Sequence, residues 1–128
     1  MKLRLKNNSV RLRLTQSEIR QLSETGRVEE RIEFGLKSDE DFVFALAVDG
    51  KNDLFRAALE NNKITVFVPQ KEALEWTRTE KVGLETEQAL GGRKSLRILI
   101  EKDFACLAPR AGEDETDNFP HPAEGKDC

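Results

Sequence analysis

Apolar and basic residues alternate one for one at the start of this chain, and a period of two dictates extended backbone. Leu3 and Leu5 occupy one phase, while Lys2, Arg4 and Lys6 occupy the other. A strand, not a helix, sends successive side chains to opposite faces. Asn7-Asn8-Ser9 interrupts the pattern as a turn, because asparagine tolerates left-handed backbone and bonds its own main chain. The alternation then resumes, with Val10, Leu12 and Leu14 in one phase and Arg11 and Arg13 in the other. Two such runs around a short polar turn read as a β-hairpin.

Thr15-Gln16-Ser17-Glu18 follows as a capping box, in which hydroxyl and carboxylate each satisfy an orphan helix amide. Ile19 and Leu22 give a short apolar face and Gly26 a C-cap, so a helix is expected over about 16–25. Strands are then expected over 27–34, 42–48, 54–59, 64–68, 82–90 and 95–101, with Asn61-Asn62 as a second hairpin turn. The run Phe42–Val48 is apolar in both phases, which predicts a central strand covered on both sides. Pro69 ends one strand, and 70–77, with Ala73, Leu74 and Trp76, reads as a second short helix.

Seven or eight strands joined largely by hairpins imply a mainly β (α+β) domain. The expected form is a curled antiparallel sheet or small barrel, with two short helices at one end. At 128 residues the chain has the size of one domain and needs neither disulfide nor metal to bury a core. Residues 1–110 are read as a single β-rich domain and 111–128 as an acidic, proline-containing tail, with no internal repeat. No apolar run approaches a membrane span or a signal peptide, and two cysteines are few for a secreted domain, so the cytosol is the expected compartment.

Charge is unevenly spread. The first 110 residues carry +2 and the tail −5. A near-neutral body argues against a nucleic-acid partner, which needs a basic footprint over most of one face. Within the body, Lys2, Arg4, Lys6, Arg11 and Arg13 concentrate five basic groups in fourteen positions without an acid, and Arg31 joins them in strand phase. The plain reading is a solvated outer face with cross-strand ion pairs. The sharper one is an anion-binding groove, taking an anionic small molecule or an acidic protein surface.

Glu85, Glu87 and Glu101 fall in the same phase and are the residues that would hold a divalent metal in a hydrolase of anionic substrates. The chain does not open with the Glu-x-Glu-x-Lys strand of the tunnel-shaped phosphohydrolases. Cys106, next to the last strand and near Arg110, is either a buried structural thiol or a reactive one. With one histidine, no Gly-x-Ser-x-Gly and no nucleotide-binding glycine motif, no catalytic residue or cofactor can be assigned.

The opening Met1-Lys2-Leu3-Arg4-Leu5-Lys6-Asn7-Asn8-Ser9-Val10-Arg11-Leu12-Arg13-Leu14-Thr15 is one of three segments that carry a resemblance. The others are Ile64-Thr65-Val66-Phe67-Val68-Pro69 and Leu96–Leu107 through Phe119-Pro120. Together they resemble a family of small uncharacterised bacterial proteins. That resemblance implies a bacterial, cytoplasmic, single-domain protein and assigns no catalytic residue.

Overall fold

The computed structural model describes residues 1–105 and 116–120. Eight strands and two α-helices follow in the order β1 (Lys2–Lys6), β2 (Ser9–Leu14), α1 (Gln16–Thr25), β3 (Arg27–Glu33), β4 (Asp41–Asp49), β5 (Arg56–Glu60), β6 (Lys63–Pro69), α2 (Gln70–Arg78), β7 (Gly83–Gly91) and β8 (Lys94–Lys102). The hairpin turns are built as the sequence predicts. Asn7, Asn8, Asn61 and Asn62 all have positive φ, the conformation a tight two-residue hairpin demands. In α1 the capping box forms in full, and Gly26 closes the helix at φ 78° by donating to the Leu22 carbonyl.

The strands form two four-stranded sheets, ordered β1-β2-β8-β7 and β3-β4-β6-β5. Both are mixed rather than antiparallel throughout, because β2 runs parallel to β8 and β4 parallel to β6. No barrel closes: β1 and β7 bound one sheet and β3 and β5 the other. The sheets instead face each other across Leu12, Leu14, Leu46, Val66, Val68, Ile98 and Ile100, all essentially inaccessible. Side chains seal the seams that a barrel would close with backbone. At one seam the Gln88 amide accepts from the Ala57 N–H at 2.7 Å and donates to its carbonyl at 3.2 Å, imitating one step of a ladder. At the other, the Met1 ammonium reaches Glu30 at 3.0 Å and also contacts Glu18.

A repeat does exist, contrary to the sequence reading. Shifting residue numbers by 54 carries β1, β2 and α1 onto β5, β6 and α2, and β4 onto β8; β3 falls on β7 with a shift of 56. The register obeys the same operation: Leu12 pairs with Ile100 and Val66 with Leu46. Smaller details recur as well. The Asn8 carbonyl accepts from Arg97 N–H at 3.2 Å and the Asn62 carbonyl from Val43 N–H at 3.0 Å. Lys2 pairs with Asp103 at 3.1 Å and Arg56 with Asp49 at 4.0 Å.

The molecule is therefore two ββαββ halves about a pseudo-two-fold axis, and each sheet takes a hairpin from both. The axis runs along the sandwich. Both helices pack together at one end, where Leu22 and its counterpart Trp76 are buried, and the hairpin turns gather at the other.

One reading needs correction. β4 is buried on both faces, yet among the described residues no second layer covers its outer side. Val43, Ala45 and Ala47 sink there between longer neighbours, and an ion pair from Lys63 on β6 to Glu29 on β3, 3.3 Å, passes over them. The segment 116–120 packs against the start of α1 and the residues that follow β8. Asp117 offers its carbonyl to Gln16 N–H at 3.0 Å and its carboxylate to Ser17 N–H at 3.3 Å, so it completes the cap of α1. Phe119 N–H donates to the Asp103 carbonyl at 2.7 Å. Among the described residues no helix is long and apolar enough to cross a membrane.

Candidate basic face of the first sheet

The outer face of the β1-β2-β8-β7 sheet collects nearly every residue singled out from the sequence. Register places Lys2 beside Arg13 and Arg4 beside Arg11, with Lys6 beside Ser9. Continuing across β8, Arg11 meets Leu99 and Arg13 meets Glu101. On β7, Glu85 lies beside Leu99, Glu87 beside Arg97 and Gly83 beside Glu101. The face is thus graded, basic along β1 and β2 and acidic along β7.

Local pairing divides these charges into satisfied and unsatisfied groups. Glu101 is the hub: it bonds Arg11 and stands 3.8 Å from Arg13. Lys2 is drawn to the buried carboxylate of Asp103. Arg97 donates to Glu85 at 2.7 Å, and that hydrogen bond holds the Glu85 carboxyl below the usual carboxylate range. Among the described residues, Arg4 and Lys6 form no ion pair. Arg4 is exposed and faces another arginine across the ladder.

Arg31 is not part of this face. It lies on β3, in the other sheet, and binds Asp41 at 2.7 Å. The three glutamates do not converge either. Glu85 and Glu87 line an open cleft of about 560 Å³ beside Asp53, Arg56 and Glu72, whereas Glu101 turns to the arginines of β2. Among the described residues no three of His, Cys, Asp and Glu gather as metal ligands. Cys106 lies outside the described residues. Sequence reasoning missed the part played by Glu101 as counter-charge to β2, since its partners are 90 and 88 positions away and no local pattern joins them.

Residues 1–123 match a family of unknown function (DUF7009). The chain belongs to that family. No curated protein and no solved structure matches it. The family description names no ligand, so the chemistry of the site rests on its own residues.

Proposed function

We propose that this member of the DUF7009 family is a non-enzymatic binding module whose basic ladder, Lys2, Arg4, Lys6, Arg11 and Arg13, receives an extended acidic segment of a partner protein. The carrying observation is Arg4 set directly across from Arg11, with no carboxylate of the described residues paired to it. Like charges opposed across a ladder destabilise a sheet, and an incoming acid relieves that repulsion. Length favours a chain over a small anion. Five residues of β1 extend about 14 Å at the rise of a strand, several times the reach of one phosphate or carboxylate. The ladder lies on an open sheet face, and the acidic residues of β7 at its far side would orient a charged partner. Following the resemblance above, the reading takes the module to work in a bacterial cytoplasm.

The test is titration with an acidic peptide and, separately, inorganic phosphate, following amide NMR shifts of residues 2–13. The reading expects shifts with the peptide that weaken as salt rises, and their loss in Arg4→Gln, Lys6→Gln. Movement with phosphate alone would assign the face to a small anion, and no movement with either would remove the proposal.

A further inference from the structure

The structure assigns a second interaction surface to the hairpin end of the sandwich, and we infer that its occupant is a second copy of this chain. Three features coincide there. The first is apolar. Of nine large hydrophobic residues exposed among the described ones, six stand at this end: Leu5, Ile32, Phe34, Leu36, Leu59 and Leu90. Leu5 with Leu59 and Phe34 with Leu90 are counterparts under the internal repeat, so the patch surrounds the pseudo-two-fold axis. Between the first pair lies an open groove of about 490 Å³ whose floor is lined by the core residues Val10 and Ile64 and by Leu96. Large apolar side chains gathered at one end of a molecule in this way mark an interaction site.

The second feature is charge. The two turns of the first sheet, residues 5–9 and 90–95, contain Lys6, Arg93 and Lys94 and no acid. The matching segments of the second sheet, 34–41 and 59–63, contain Asp39, Glu40, Asp41 and Glu60 against Lys37 and Lys63. One rim is therefore +3 and the other −2. The third feature is pairing. None of Lys6, Arg93, Lys94, Asp39, Glu40 or Glu60 forms an ion pair among the described residues, although most charged residues on the outer sheet faces do.

A basic rim and an acidic rim on either side of an apolar centre are complementary to themselves. A second copy placed end to end by a two-fold axis perpendicular to the strands lays each basic rim on the partner's acidic rim. The leucines and Phe34 meet in the middle. That is the isologous arrangement of a closed dimer, with an apolar centre inside a polar rim. The surface shares only Lys6 with the basic ladder: Arg4, Arg11 and Arg13 lie on a sheet face, whereas this contact is at the strand ends, and none of the variants below alters the ladder.

The experiment is sedimentation of the full-length protein across a micromolar range, with three variants whose folding is checked by circular dichroism. Wild type is expected to be a dimer. Phe34→Ser, Leu59→Ser, at two exposed positions, should be monomeric. Arg93→Glu, Lys94→Glu makes both rims acidic, and Asp39→Lys, Glu40→Lys, Glu60→Lys makes both basic. Each should dimerise at least about tenfold more weakly alone, since like charges then oppose twice per dimer. Mixed, they should restore a dimer containing one of each. A wild-type monomer throughout the range, a dimer indifferent to Phe34 and Leu59, or charge variants that fail to rescue each other would overturn the inference.

Discussion

Reversing Arg4 to glutamate asks whether the ladder is strained in the free protein. In the native sheet Arg4 faces Arg11, and Lys2 and Lys6 stand two positions away on the same face. Arg4→Glu replaces a repulsive cross-strand pair by an attractive one. Each such pair is worth about 0.2–1 kcal/mol, so the swap gains about 1 kcal/mol after allowing for solvent screening and for Glu101, which already engages Arg11. With an unfolding entropy of about 2.1 cal/mol/K per residue, a chain of this size should melt about 4 °C higher. Arg4→Gln, which removes repulsion without adding attraction, should give about half of that.

The assay is differential scanning calorimetry at low and high salt, run beside the acidic-peptide titration. Stability should rise while affinity falls, and the stability gain should shrink as salt screens the pair. An Arg4→Glu protein that melts at or below the wild-type temperature in low salt would show that no repulsion is stored in the ladder, and the argument for an acidic partner would lose its ground.

Other consequences concern the frame that holds the ladder. Trp76 is fully buried and its Nε1–H donates to the Val82 carbonyl at 3.0 Å, while Lys102 N–H donates to the same carbonyl at 2.9 Å. Trp76→Phe should therefore cost about 2 kcal/mol in chemical denaturation, and Trp76→Ala about 3–5 kcal/mol; equal losses would contradict the packing described. A Cβ on Gly83 would come within 2.7 Å of the Ile100 carbonyl oxygen, so Gly83→Ala should lose about 1–3 kcal/mol, and a neutral result would mean the β7–β8 pairing is looser than it is drawn.

Hydrogen bonds from Arg27 and then Lys63 lower the Glu29 carboxyl, and Arg97 lowers Glu85. A carboxyl depressed in the folded state adds stability above its unfolded value near 4.5 and loses it as pH falls through the folded one. The urea midpoint should therefore begin to fall below pH of about 4.5, and fall less in Glu29→Gln, and a profile identical in the two proteins would refute this. Residues 1–52 and 53–128 produced separately should each be unfolded and should refold on mixing, because both parallel pairings join one half to the other; a separately folded half would contradict the interleaving.

Local chemistry carried most of the secondary structure. Thr15 and Glu18 define the first residue of α1, the two Asn-Asn pairs define two turns, and the Leu12, Leu14 phase points inward as its alternation says. Partner choice was not legible. Nothing in Val10–Leu14 says that its neighbour on one side is Ile98–Lys102, since a period of two repeats identically in every strand and contains no address. The repeat escaped for a related reason. Leu12, Leu14 and Leu22 became Val66, Val68 and Trp76, exchanges that keep an apolar surface while removing identity, so only Leu5, Asn7, Asn8, Gln16, Glu18 and Thr25 match their counterparts in the first 25 positions. The basic face was visible because all its members come from one contiguous hairpin. Its limits were hidden because Glu101, Asp103 and Asp41 arrive from distant strands.

The repeat itself separates what the fold needs from what a partner would read. Inside the sandwich the halves are interchangeable in kind, Val10, Leu12 and Leu14 against Ile64, Val66 and Val68. Outside they are not. Arg4, Arg11 and Arg13 on the first sheet correspond to Ala58, Thr65 and Phe67 on the second, where the Arg56 guanidinium stands over the Phe67 ring, 4.0 Å from its centre, and Thr65 is buried. A sandwich built only for stability gains nothing from that difference, because the same kind of core underlies both outer faces. Repelling arginines would be the less stable choice of the two. Their presence on one half alone is what the proposed acidic partner would read, and it sets a chemical difference between the two halves on the outer side of β1 and β2.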